Sequence, residues 1–304
     1  MTDALPPITV TATGLTKRYG DVAAVREVSL TAVAGRVTVL VGGNGAGKST
    51  TLRLMLGLAH GPGRTLFGGR PLRGHLEPWG VVGAFLGQPT AHPRRTARSH
   101  LRVLAAGTGL PRARREELLE LVGLTGSAGR TPRGFSTGMA QRLGIATALL
   151  HDPSVLVLDE PLNGLDPDGV VLLRTLLRRH AERGGTVLMA SHQLDEVERV
   201  ADVVHVMESG RIVSAGPVTD VAQGDVERTL VRSDDDARLA RELAARGGTV
   251  EEGPEVVVHG LSAREVATVA RDLDVLVTAL VPLRRSLAER YERRAWTEES
   301  GVGS

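Results

Sequence analysis

Two short segments of this sequence have residue types and spacing that chemistry can use. The first is Gly42-Gly43-Asn44-Gly45-Ala46-Gly47-Lys48-Ser49, followed by Thr50. It meets the spacing G-x-x-x-x-G-K-[ST] at every fixed position. Glycines let a chain turn its N–H groups inward around phosphate oxygens, and a helix starting at the lysine adds partial positive charge. Lys48 offers a compact charge for β and γ phosphates, where the planar fork of arginine would not fit. It is one of only two lysines, with Lys17, among basic residues that are otherwise arginine. Ser49 is a candidate ligand for Mg²⁺. The second segment is Val155-Leu156-Val157-Leu158-Asp159-Glu160-Pro161, an apolar run ending in two acids. A carboxylate at the carboxyl end of a parallel strand lies where such sheets bind ligands. Asp159 suits a Mg²⁺-coordinating role and Glu160 the polarisation of an attacking water. Two acids ending a strand are by themselves more often a helix cap or a solvated turn. Beside a phosphate loop, phosphoryl transfer is the better reading.

The elements that must position these residues are legible in outline. Ile8–Thr13 and Val25–Val33 read as strands, and Arg36–Val41 as a compact apolar strand running into the glycine loop. A helix is expected over Lys48–Leu58, then short strands at Thr65–Phe67 and Val81–Phe85 between glycine and proline breaks. Arg98–Ala106, Arg112–Val122 and Gly138–Leu150 read as helices. After strand Val155–Leu158 come helix Asp168–Arg183, strand Thr186–Ala190, helix His192–Ala201, and strands Val203–Glu208 and Arg211–Ala215. Such alternation predicts a parallel sheet covered on both faces. Beyond a composition shift near Thr219–Asp225 the expected order is strand Glu227–Arg232, helix Asp235–Arg246, strands Thr249–Glu252 and Glu255–His259, helix Ala263–Asp272, strand Val275–Val281 and helix Leu283–Arg294. That is a small α+β domain with no evident site.

With those motifs in place, the sequence resembles the ATP-binding subunits of ABC transporters over about Ile8–Pro217. The discriminating segment is Phe135-Ser136-Thr137-Gly138-Met139-Ala140-Gln141-Arg142, similar to the family's signature L-S-G-G-Q and the residues after it. Asn163-Gly164-Leu165-Asp166 resembles the D-loop, Ser191-His192 the switch histidine, and Lys17-Arg18-Tyr19-Gly20 the A-loop with its adenine-stacking ring. The resemblance implies an α/β P-loop NTPase of ABC type. Its parallel-sheet core would carry an antiparallel β-subdomain and a helical α-subdomain at about 96–150, the whole spanning residues 1–222. The small α+β domain would follow at 225–296, and 297–304 would be a flexible tail.

The resemblance also implies roles for residues. Tyr19, Gly42, Gly43, Asn44, Gly45, Ala46, Gly47, Lys48, Ser49 and Thr50 would bind ATP. Lys48, Glu160 and His192 would serve catalysis, and Ser49 and Asp159 would hold Mg²⁺. Ser136, Thr137 and Gly138 would reach the nucleotide of an opposite subunit, and Asp166 would lie in the D-loop. The Q-loop glutamine, a further metal ligand, would be Gln88, one position from the family's spacing. The signature departs from the family at Thr137, where glycine is preferred, and at Met139, where glutamine is.

Composition removes other classes. Apolar residues make up 41% and charged residues 24%, which suits a folded globular chain. The sequence has no cysteine, so disulfide scaffolds, thiolate metal sites and cysteine nucleophiles are excluded. Its 37 basic and 35 acidic residues nearly balance, so no nucleic-acid partner is expected. No apolar stretch approaches the ~18 residues of a membrane span, and Met1–Pro7 does not read as a signal peptide. The expected protein is thus a peripheral ATPase that hydrolyses ATP on the cytoplasmic face of the membrane. It would pair with a second nucleotide-binding domain and power a separate membrane permease. The segment from Val82-Gly83-Ala84-Phe85 to His92-Pro93-Arg94-Arg95-Thr96-Ala97-Arg98, with the C-terminal extension, resembles the subfamily of multidrug and antibiotic exporters. The competing expectation is a soluble ABC ATPase acting on a macromolecular partner.

Overall fold

The computed structural model describes residues 4–87, 91–223, 228–251 and 256–283. The chain divides into two compact units, Met1–Pro217 and Val218–Ser304. The first runs β1 (Val10–Tyr19), β2 (Val22–Ala32), β3 (Val37–Val41), α1 (Lys48–Met55), β4 (Arg64–Phe67), α2 (Pro78–Val81), β5 (Val82–Phe85), α3 (Ala97–Leu104), α4 (Arg112–Leu121) and α5 (Thr137–Ala148). It continues with β6 (Val155–Asp159), α6 (Pro167–Glu182), β7 (Thr186–Ser191), α7 (Leu194–Val200), β8 (Val203–Glu208) and β9 (Arg211–Pro217).

A six-stranded sheet of order β5-β6-β7-β3-β8-β9 forms the centre. All neighbours in it are parallel except β8 and β9. Strands β3, β6 and β7 are buried along their whole length. Strands covered on both faces read as unbroken apolar runs, as these do. A three-stranded antiparallel sheet, β2-β1-β4, accompanies it. Val10, Val25 and Phe67 of that sheet share one core with Leu52 and Met55 of α1 and Val157 of β6. Each such fully buried side chain stabilises the fold by about 1.5–3 kcal/mol. The phosphate-loop helix is thereby fixed to both sheets.

Strands β1 and β2 extend well past the expected Ile8–Thr13 and start earlier than Val25, meeting at a turn after Tyr19. Their pairing shifts register after Ala12, Leu15 and Lys17, and these irregularities break the alternation that marks a strand in sequence. Helix α1 stops at Met55 rather than Leu58, because Gly57 turns the chain into the left-handed region at φ 71°. Helix α7 begins at Leu194 rather than His192, since Gln193 donates its N–H to the Ser191 hydroxyl in a turn. The short α2, with Pro78 in its first turn, is hidden among breaker residues.

The second unit runs α8 (Val218–Gln223), β10 (Arg228–Ser233), α9 (Asp236–Ala245), β11 (Thr249–Glu251), β12 (Val256–His259), α10 (Ala263–Asp272) and β13 (Val277–Leu283). Its four strands form an antiparallel sheet of order β11-β12-β10-β13, a split βαβ arrangement. Leu239 and Leu243 of α9 and Val266 and Val269 of α10 close a core over Val231 and Val258. Ser262 and Glu265 start α10 with a reciprocal capping box. Strand β13 lies two residues later than the expected Val275–Val281. Val275 instead donates its N–H to Ala270 and ends the turn after α10. Leu283 is therefore a strand residue and not the start of a helix. The rest of that expected helix, 284–294, and the tail 297–304 lie outside the described residues.

Candidate functional site

The parallel order places the carboxyl ends of β6, β7 and β3 side by side, with Asp159 opposite Ala190 and Val41 opposite Ser191. The glycine loop leaves the end of β3, and α1 starts at Lys48. Gly42 and Gly47 have no alternative there. A Cβ on Gly42 would sit 2.3 Å from the Met207 carbonyl oxygen, and one on Gly47 2.3 Å from that of Ala24. Gly47 also takes φ 103°, a value that L side chains rarely adopt. The loop is thus held tightly from behind, while Asn44 and Gly45 at its apex are exposed. No side chain caps the N-terminus of α1. Its first N–H groups have no acceptor within the helix, which is the arrangement that receives anions.

Lys48 is buried, at 6% exposure, and its ammonium is fully engaged. It donates to the carbonyls of Gly42 (2.7 Å) and Gly43 (3.1 Å) and lies 3.3 Å from Oε1 of Glu160. The Ser49 hydroxyl donates to Oδ1 of buried Asp159 at 3.0 Å. Burial pushes the Asp159 carboxyl above the usual range, opposed by the Ser49 hydrogen bond and reinforced by the neighbouring Glu160 charge. Two adjacent hard oxygens suit Mg²⁺, which binds through one or two protein ligands and completes its shell with phosphates and water. Among the described residues no cluster of three or more His, Cys, Asp and Glu side chains offers a competing all-protein metal cage.

Glu160 is left-handed at φ 48° although it is not glycine. Such backbone costs of the order of 1–3 kcal/mol and persists where surrounding bonds over-determine it. Three do so here. Its N–H donates to the Ala190 carbonyl at 2.9 Å, and its own carbonyl accepts from Gln141 Nε2 at 3.0 Å. Its Oε2 takes Nδ1 of His192 at 2.9 Å and the His192 N–H at 3.3 Å. A carboxylate only accepts, so the imidazole donates from Nδ1 and keeps the Nε2 lone pair available.

The structure therefore brings Lys48, Ser49, Asp159, Glu160 and His192 into one cluster. Tyr19 ends β1 with its ring 53% exposed and the Lys17 ammonium 5.1 Å from its centroid. Ser136 is not in the cluster. Its hydroxyl caps α5 by accepting the Met139 N–H at 3.2 Å, leaving Thr137 and Gly138 in the first turn. That turn packs on the loop after β6, where a Cβ on Gly138 would approach the Gly164 carbonyl oxygen to 3.0 Å. Asp166 caps α6 by accepting the Gly169 N–H, and pairs with Arg142. That hydrogen bond to Arg142 holds its carboxyl below the usual range. Gln88 lies outside the described residues. Three participants carry no individual role from sequence: Gln141 behind Glu160 and Arg142 on Asp166, both met only as part of the signature segment, and Gln193, which donates to Asn163 at 2.9 Å. A buried glutamine within an apolar helix was the available signal for the first.

The arrangement can surround a polyphosphate with N–H groups and one lysine, hold a divalent cation, and place a carboxylate beside the phosphate end. Comparison with known proteins agrees. The sequence pattern of the family described as ABC transporter matches residues 25–163. The bacitracin transport ATP-binding protein BcrA of Enterococcus faecalis is 37% identical over 211 residues, covering 68% of each chain. The uncharacterized ABC transporter ATP-binding protein YdbJ of Bacillus subtilis (strain 168) is 30% identical over 285 residues, 91% of this chain and 92% of that one. A solved ATP-binding subunit of an ABC transporter superposes with a TM-score of 0.64 at 28% identity, covering 70% of this chain and 91% of its own. A phosphate loop, a paired-acid strand end and a following histidine, met in this order and matched at this extent, have one common explanation: this chain belongs to the ABC transporter family, as an ATP-binding subunit that hydrolyses ATP.

Proposed function

We propose that this subunit powers export of an antibiotic or similar compound through a separate membrane permease, working as one of a head-to-tail pair of cassettes at the cytoplasmic face. The observation that carries the chemical part is the Glu160 carboxylate, held between the Lys48 ammonium and the His192 imidazole at the carboxyl edge of the sheet. The backbone of Gly42–Thr50 wraps the phosphates, Lys48 offsets their charge, and the exposed ring of Tyr19 stacks on the adenine. Ser49 and Asp159 hold Mg²⁺, with Gln88 as a further ligand; when bound, the ion neutralises charge on the phosphate oxygens. Glu160 orients the attacking water and takes its proton, and His192 keeps that carboxylate aimed.

Ser136, Thr137 and Gly138 face the γ-phosphate held by the opposite cassette, and Asp166 lies in the loop between the two. The γ-phosphate then makes contacts available only in the closed pair, so hydrolysis releases it. Thr137 and Met139, which replace the family's preferred residues, make this signature a less efficient partner. Similarity to the bacitracin transport subunit supports the substrate class. Among the described residues no helix is long and apolar enough to cross a membrane, which supports a separate permease.

Coexpression with a candidate permease tests the reading. The chain is expected to move to the membrane fraction and its phosphate release to rise when the exported compound is added. A chain that stays unbound and unstimulated with every permease tried contradicts the export role. Asp159→Asn should raise the Mg²⁺ concentration needed for half-maximal turnover about tenfold or more, and an unchanged Mg²⁺ dependence contradicts the metal assignment.

A further inference from the structure

Where a carboxylate on left-handed backbone points is set by its two flanking peptide planes. For Glu160 the preceding plane is fixed by β7, through its N–H to the Ala190 carbonyl. The following plane is held by two donors to the Glu160 carbonyl, the Asn163 N–H of the loop itself at 3.2 Å and a side chain from another element, the Gln141 amide, at 3.0 Å. Gln141 is 4% exposed and sits in α5 among Leu143, Ile145, Ala146 and Ala148. Burying an amide among such neighbours is unfavourable unless it is hydrogen-bonded. Its hydrogen-bond partner is the backbone of the residue that carries the reactive carboxylate.

The same helix grips the rest of the loop. The first turn of α5 packs on Gly164, and Arg142, the residue after Gln141, pairs with Asp166. Helix α5 thus holds the segment from Glu160 to Asp166 at its start, middle and end. The N-terminus of this helix carries Ser136, Thr137 and Gly138, the residues assigned to the opposite cassette's nucleotide.

We infer that Gln141 is a positioning residue that makes the aim of Glu160 depend on the placement of α5, so that the helix facing the opposite nucleotide also sets the hydrolytic competence of its own cassette. The inference rests on the reading of Glu160 as the proton acceptor. It deepens that reading by assigning a residue that touches neither nucleotide nor metal.

The test uses the full chain with Gln141→Met, which keeps length and removes the donor, and Gln141→Glu, which keeps shape and places an acceptor there. Phosphate release gives kcat and KM, and a fluorescent ATP analogue gives affinity. The expected result is a fall in kcat of about tenfold or more, with nucleotide affinity within about twofold of wild type. In a Glu160→Gln background neither change should lower the residual turnover further, because both act through one group. A folded variant with wild-type kcat overturns the inference, as does a loss of affinity equal to the loss of kcat, or an additive effect in the Glu160→Gln background. If Gln141→Met fails to fold, Gln141→Glu decides by the same criteria. Failure of both to fold makes Gln141 a packing residue and overturns the inference too. Glu160→Gln alone separates the two claims. Wild-type turnover there defeats the underlying reading, whereas a dead Glu160→Gln beside fully active Gln141 variants defeats only the positioning role.

Discussion

The Glu160 carboxylate lies 3.3 Å from the Lys48 ammonium, across the junction between the loop after β3 and the end of β6. Residues far apart in sequence meet because β3 and β6 both flank β7 and run parallel to it. The pair joins the group that binds phosphate to the group that acts on water. In this arrangement the lysine donates to Glu160 and to two loop carbonyls, and phosphate oxygens are acceptors for the same ammonium protons.

Lys48→Ala removes the buried positive charge together with its hydrogen bonds to the Gly42 and Gly43 carbonyls. Its kcat should fall by about 100-fold or more, the magnitude typical of losing a preorganised charge-stabilising donor. Lys48→Arg should not restore activity, because the guanidinium fork does not fit the space of an ammonium. Phosphate release by purified protein checks both, and undiminished turnover in Lys48→Ala would remove the phosphate-loop assignment.

His180 supplies a pH dependence unrelated to catalysis. It is buried against Gly185, and burial lowers its pKa from 6.5 to about 4. Between those values the unfolded chain binds a proton that the folded chain refuses, so acid favours unfolding. Stability should fall as pH drops from about 6.5 towards 4, by up to about 3 kcal/mol for this residue alone. Burial lowers His205 and His100 as well, in the same sense. Urea melts at pH 7.5 and 5 measure the effect, and His180→Gln should flatten it. Equal midpoints for wild type at the two pH values would contradict the burial argument.

The strands of the central sheet and the site cluster lie in the first unit, Met1–Pro217. The second unit has its own core, built on Leu239, Leu243, Val266 and Val269. Ending the chain at Asp225 should therefore leave a folded protein with the ATP affinity of the full chain, while association with the permease weakens. Circular dichroism and nucleotide titration check this. A truncated chain that folds but cannot bind ATP would place part of the nucleotide site in the second unit.

The site was legible where one residue type answers one local demand. Gly42, Gly47 and Lys48 are such positions, because backbone proximity and phosphate charge leave few alternatives. Asp159 and Glu160 were legible because a fully buried parallel strand must end where its residues turn polar. Gln141 and Arg142 were not. Their partners, Glu160 and Asp166, are distant in sequence, and only the packing of α5 on the loop after β6 pairs them. The long hairpin of β1 and β2 was half legible, since bulges around Gly14 and Lys17 erase the two-residue alternation. In the second unit the element order was readable, but the insertion of β12 between β10 and β11 follows from strand pairing that local pattern does not encode.

Glu160, as the group that activates water, is the residue on which the proposed function depends most. Glu160→Gln keeps shape and the bond to His192 while removing the carboxylate. Size-exclusion chromatography with light scattering, run with Mg-ATP, tests it together with phosphate release. Retained ATP binding, turnover lowered by about 100-fold or more, and a stable dimer that wild type without nucleotide does not form are expected. A variant that stays monomeric at high concentration and hydrolyses ATP at the wild-type rate would contradict this role of Glu160.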